Sequence, residues 1–222
     1  MLSKRILLVE GKSDQLFYEA ACSALNLGTT IHVAPPSSVG GRANNKEGAL
    51  THLRVLLNQL GDGHIQHLAI VVDADHEAEH GLGYRRTVDR VETIVSEFGF
   101  KIAAAAKSRV GGLLFEHPDD LNPFGLWVMP GNLVDGMLED WLKSCVVAEE
   151  VTLFKLASTA VSNLPSPKFK PIFRSKAEVA TWLAWQKFPG RGLGYAIEAN
   201  LVDQSNAQFK LLAKWLSDVF PT

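Results

Sequence analysis

Four carboxylates stand where two apolar runs of the chain stop. Arg5 to Val9 leads straight into Glu10 and Gly11, with Asp14 three residues beyond the glycine, and Leu68 to Val72 leads into Asp73 and then Asp75. Carboxylates brought together repel. At ~4 Å each pair costs on the order of 4 kcal/mol at an effective dielectric of about 20, so such a set takes up protons or binds a cation. A donor set made only of carboxylates suits a hard ion such as Mg²⁺ or Mn²⁺. Two such ions held ~3.5–4 Å apart support in-line attack on a phosphodiester, stabilising the entering and the leaving oxygen together. Gly11 carries no side chain, which lets the loop after Glu10 pass close to a phosphate or a metal.

These acids converge only if the two apolar runs are neighbouring strands whose carboxyl ends open on one crevice. The pattern along the chain predicts this. Arg5 to Val9 is rich in Ile, Leu and Val, and Ser13 can cap a following helix with Leu16, Phe17, Ala20, Ala21 and Ala24 on one face. Thr30 to Ala34 reads as a short strand, and Pro35-Pro36 and Gly40-Gly41 mark a loop holding Arg42. Asn45 caps a helix to Leu60. Leu68 to Val72 is a continuous apolar run, the mark of a central strand covered on both faces. Tyr84 to Phe98 is amphipathic, Ile102 to Ala106 and Gly125 to Met129 read as strands, and a short segment lies between Gly111-Gly112 and Pro118 to Pro123. Five strands alternating with helices predict an α/β, Rossmann-like, mostly parallel doubly wound sheet over residues 1–147. From Leu133 onward the pattern is helical, at Leu133 to Val147, Val151 to Leu164, Lys176 to Phe188 and Ala207 to Phe220. Residues 148–222 are therefore expected to form a helical extension packed on the sheet domain.

With 222 residues, 46% of them hydrophobic, the chain has enough apolar material for a large core. Its longest apolar runs, about five residues, fall far short of the ~20 that cross a membrane, and the N-terminus lacks a signal-type apolar region. A cytoplasmic location is expected. Cys22 and Cys145 sit in helical apolar contexts and read as buried free thiols. The net charge of −2 argues against bulk electrostatic coating of nucleic acid. The charge is nonetheless uneven: residues 61–140 hold 14 acidic against 6 basic side chains, and residues 141–222 hold 10 basic against 6 acidic. An acidic centre beside a basic C-terminal part suits a metal site flanked by a polyanion-binding surface; solvated faces of unrelated helices explain it as well.

ILLVEGKSD followed about sixty residues later by LAIVVDAD resembles the two signature motifs of the Toprim domain, shared by topoisomerases, bacterial primases and OLD-family nucleases. The glutamate motif matches through Glu10, Gly11 and Asp14, and the DxD motif through Asp73 and Asp75. MPGNLVDGMLEDWL, KAEVATWLAWQ and FPGRGLGYAIEANLVD extend the likeness over nearly the whole chain, to a group of stand-alone Toprim-like proteins related to the OLD nucleases. The resemblance implies a Rossmann-like core, Mg²⁺ or Mn²⁺, and phosphodiester chemistry on DNA or RNA. It makes Glu10 a metal ligand or general acid/base, Asp73 and Asp75 metal holders, and Asp14 a further ligand. No helicase, ATPase or zinc module and no topoisomerase-like tyrosine accompanies the motifs, which disfavours topoisomerase and primase. Glu139 in GMLEDWL is a further candidate acid. Lys168 and Lys176 are candidates for neutralising charge on a phosphorane, and with Gly11 and Arg42 they make up the candidate phosphate contacts.

Two other readings stand beside this one. A Toprim-like module that binds metal and nucleic acid without cutting would keep the same acids. His76 to His80, HEAEH, satisfies the zinc-peptidase pattern HExxH, but that pattern needs a sustained helix, and Gly81 and Gly83 interrupt it. Trp127, Trp141, Trp182, Trp185 and Trp215 read mostly as core rather than base-stacking platforms.

Overall fold

The computed structural model describes residues 4–34, 45–79, 81–103 and 111–221. Six strands form one sheet in the order β2-β1-β3-β6-β5-β4. They are β1 (Arg5–Val9), β2 (Thr30–Val33), β3 (His67–Asp73), β4 (Lys101–Ile102), β5 (Leu113–Glu116) and β6 (Phe124–Met129). β2, β1, β3 and β6 run parallel, while β5 and β4 join antiparallel at one edge. The fold is the expected Rossmann-like α/β sheet, mostly parallel, with a helical C-terminal part.

Alternation along the strands sends side chains to two cores. Leu7 and Val9, Ala69 and Val71, and Trp127 and Met129 face α1 (Lys12–Ala24) and the later helices: α4 (Leu138–Ser144), α5 (Val151–Ser162), α6 (Arg174–Ala184), α7 (Gly194–Glu198) and α8 (Ala207–Val219). Ile6, Leu8, Leu68, Ile70, Val72, Leu126 and Val128 face α2 (Lys46–Gly61) and α3 (Gly83–Ser96). β3 is buried along its length from Leu68, as its unbroken apolar run requires. Trp127, Trp141, Trp182 and Trp215 are fully buried in the first core; Trp185 is 46% exposed. Cys22 and Cys145 are buried free thiols, and burial pushes both up, to about 12 and about 11. Among the described residues no helix is long and apolar enough to cross a membrane.

The differences from the sequence pattern have local causes. The segment after Gly111-Gly112 is a strand, β5, whose Leu113 and Phe115 point into the core and whose Glu116 points out. It turns the sheet edge antiparallel. The strand expected over 102–106 is Lys101–Ile102, and residues 104–110 lie outside the described set. Ser13 does not cap α1: Gly11 holds the N-cap position and no side chain caps the helix, whereas Asn45 does cap α2, accepting from the Gly48 N–H at 3.0 Å. The helix expected from Leu133 begins only at Leu138. Asn132 (φ +61°) and Gly136 (φ +142°) hold 130–137 as a loop, which Asp75 ties down by exchanging two backbone hydrogen bonds with Gly136. Leu133 and Val134, the apolar residues that read as helix, are more than half exposed on this loop.

Candidate functional site

The carboxyl ends of β1 and β3 lie side by side, because the two strands pair in parallel from Arg5↔His67 to Leu8↔Ile70. Glu10 leaves β1 and its Oε1 accepts the backbone N–H of Asp73 at 2.9 Å. Asp73, 8% exposed, turns its Oδ1 to the N–H of Leu138 at 2.9 Å, fixing the start of α4 to the end of β3. Asp14 sits in the first turn of α1, where a negative charge meets the positive end of the helix dipole. Glu139, 7% exposed, comes in from the first turn of α4. The two strand ends and two helix starts thus bring Glu10, Asp14, Asp73 and Glu139 to one place.

Electrostatics report the same convergence. Burial, and then the charges of Glu10, Asp14 and Glu139, raise the Asp73 carboxyl well above the usual carboxylate range; Lys176 opposes them. Glu10 is pushed up to about 7, chiefly by burial, with Lys46 and the Asp73 N–H pulling it back and Asp14 and Asp75 adding to the rise. Asp14 and Glu139 are raised by burial and lowered in part by Lys176. Burial alone would lower the Lys176 ammonium, yet Glu139, Asp73, Asp14 and Glu10 outweigh it and hold the proton more tightly. Its Nζ lies 3.9 Å from Glu139 Oε1.

Asp75 stands apart in its pairing. Its Oδ2 takes the ammonium of Lys46 at 2.5 Å, from the first residue of α2. Among the described residues no three His, Cys, Asp or Glu side chains are drawn into a ready-made ion-holding set. Repelling carboxylates turn to backbone donors instead, as Glu10 and Asp73 do. An all-oxygen donor set still fits a hard divalent cation, and two buried oxygens support the fit. Glu139 Oε2 and the Tyr18 hydroxyl, which feels the charges of Asp14 and Asp73, have no hydrogen-bond partner among the described residues.

The other sequence candidates separate clearly. Gly11 has extended backbone that any residue adopts, and a Cβ there would stand 3.4 Å from Asp14 Oδ2, so its smallness bears on the approach to the acids rather than on the turn. Lys176 reaches the cluster. Lys168 lies exposed on the connection after α5, and Arg42 falls outside the described residues. Of HEAEH, Glu77–Glu79 form a single 3-10 turn, too short to align histidines on a helix face, and His80 is outside the described set. His76 Nε2 instead lies 3.8 Å from Asp140 Oδ2, and Glu77 pairs with Arg86 at 3.0 Å. Sequence reasoning missed Lys46, Tyr18 and Asp140. Asp140 accepts from the Met137 N–H and from Ser175 Oγ, so it ties α6, and with it Lys176, to α4. Its one signal was its place beside Glu139.

The fold and this arrangement define an α/β protein with an acidic cluster at the carboxyl ends of neighbouring parallel strands. The chain belongs to the family described as a protein of unknown function, DUF3226, whose model matches residues 4–221. No curated protein matches the sequence. Among solved structures the chain is similar to the C-terminal region of the OLD protein of Xanthomonas campestris pv. campestris, at 12% identity over 99% of this chain and 97% of that one, with a TM-score of 0.43.

Proposed function

We propose that the chain is a nuclease that uses Mg²⁺ or Mn²⁺, held by Glu10, Asp14, Asp73 and Glu139, to cleave phosphodiester bonds of DNA or RNA. The observation that carries the reading is the hydrogen bond from the Asp73 N–H to Glu10 Oε1, which joins the ends of the two Toprim-like motifs at 2.9 Å. Four buried acids whose proton affinity is raised by burial, and at Glu10, Asp73 and Glu139 also by neighbouring acids, against only Lys46 and Lys176 among the described residues, are a site short of positive charge. A divalent ion bound there supplies that charge, polarises a phosphoryl oxygen and lowers the pKa of a bound water. Without the ion, burial pushes Glu10 up to about 7, so binding of the ion near neutral pH would be coupled to release of its proton. Lys176 is placed to offset charge that develops on the phosphoryl oxygens.

Single- and double-stranded DNA and RNA incubated with Mg²⁺ or Mn²⁺ should be cut by the purified protein. Glu10→Gln and Asp73→Asn should bind the same substrates without cutting them. Binding without cleavage of any of the four by the unaltered protein, with either ion, refutes the nuclease reading and supports the non-catalytic Toprim-like module.

A further inference from the structure

The connection between α5 and α6 carries a cavity that the acidic cluster does not use. Val161, Leu164, Pro167, Phe169 and Pro171 line it, with Arg174 at one end, and its volume is about 360 Å³. Pockets that hold small ligands run from ~300 to ~1,000 Å³ and are mostly apolar with a few polar groups. Pro165, Pro167 and Pro171 each fix a backbone φ angle, so the connection has little conformational freedom left to lose when something binds. Arg174 braces one wall, donating to Ser162 Oγ on α5 and to the buried Glu178.

Charge around this cavity has one sign. Residues 151–177 hold five basic side chains and no acidic one. Lys168 and Lys170 stand on either side of Phe169, are exposed, and have no acidic partner among the described residues. The cavity also adjoins the acids: Arg174 is the first residue of α6, and Lys176, two residues on, lies 3.9 Å from Glu139 Oε1. At a rise of ~1.5 Å per residue the two positions are about 3 Å apart along the helix. We propose that this cavity takes an unpaired base of single-stranded DNA or RNA, stacked on Phe169, with Lys168 and Lys170 on the phosphates beside it. The proposal rests on the nucleic-acid substrate of the reading above, and not on the metal. An apolar peptide has no use for the two lysines, and an acidic one has no flat apolar face for the ring. A nucleic acid strand carries both phosphates and faces, but a duplex stacks its faces against one another, so only unpaired nucleotides can offer them.

The test is binding of fluorescently labelled 12-nucleotide single strands of DNA and of RNA, and of the matching duplexes, by anisotropy in EDTA. The whole chain is used, and removing divalent ions keeps binding separate from cleavage. Single strands should bind at least tenfold more tightly than duplexes. Phe169→Ala should weaken single-strand binding about tenfold and leave the weak duplex binding unchanged. Phe169→Leu, which keeps apolar volume but offers no ring, takes its place if circular dichroism shows the alanine protein unfolded. Lys168→Gln/Lys170→Gln should lower the slope of log Kd against log salt by about 1.4. Equal affinity for single strands and duplexes overturns the proposal. So does single-strand binding that neither the Phe169 nor the lysine substitutions change, which would leave the cavity to an apolar segment of a protein partner. The same single-strand binding with no cleavage once Mg²⁺ or Mn²⁺ is added overturns the nuclease reading and leaves this one standing.

Discussion

Glu10→Gln should make the protein more stable above neutral pH and leave it almost unchanged near pH 4. The glutamine Oε1 can still accept the Asp73 N–H, so the substitution removes charge and keeps the hydrogen bond. In the folded chain Glu10 titrates at about 7, against 4.5 as its ordinary value, principally because of burial. Between these two values the folded state holds a proton that the unfolded chain has released, so stability falls as pH rises through that window. A rise of this size corresponds to about 3 kcal/mol, and the partial exposure of Glu10 brings the working figure to roughly 2–3 kcal/mol. For a chain of 222 residues this is about 5–10 °C in melting temperature. Thermal melts of both proteins at half-unit steps from pH 4 to 8, without divalent ions, should therefore diverge by that much at pH 8 and nearly coincide at pH 4. Millimolar Mg²⁺ at pH 8 should restore most of the lost stability to the unaltered protein and much less to the variant. Curves that stay parallel at every pH refute the argument that Glu10 is forced into its charged form at a cost.

Two further perturbations address the frame around the site. Asp135 accepts the Tyr84 N–H at 2.8 Å and the Glu77 N–H at 3.1 Å, and these bonds hold its carboxyl below the usual range. Asp135→Ala should cost about 1 kcal/mol and speed hydrogen exchange at both amides, and unchanged exchange there would show that the loop after β3 is held by other contacts. A Cβ at Gly194 would lie 2.4 Å from the Leu16 carbonyl oxygen, so Gly194→Ala must push α7 off α1. It should cost about 1–3 kcal/mol, read as a lower urea midpoint, and an unchanged midpoint would mean that the helices separate freely.

The sheet was legible where a strand is buried on both faces. Leu68 to Val72 must be central because nothing polar interrupts it, and Asp73 and Asp75 then have to emerge at its carboxyl end. β5 was not legible, since four residues with one exposed acid carry too little pattern to separate a strand from a loop. The loop before α4 misled for the opposite reason. Leu133 and Val134 look like core, but a left-handed Asn132 and Gly136 set the chain direction, and apolar side chains on a loop can remain in solvent.

The site divides along the same line between what is local and what is not. Glu10 and Asp73 could be paired from the sequence because parallel neighbouring strands present their ends together, and each end is marked by a local switch from apolar to acidic. Lys46 has no such mark: a lysine after an N-cap asparagine is ordinarily solvated, and only the placement of α2 against the end of β3 buries it on Asp75. The basic excess of the C-terminal part was visible as composition, yet part of it answers to structure. Arg174 and Lys143 are spent on the buried Glu178, at 2.9 and 2.7 Å, and Arg191 on Glu198 at 2.8 Å. Lys176 differs because α6 is tied to α4 through Ser175 and Asp140, which aims the residue next to Ser175 at Glu139 rather than at solvent. The charge balance of the acidic cluster is therefore set by two lysines from two distant helices, and it is this long-range packing, invisible in any window of the sequence, that fixes how much positive charge the acids still lack.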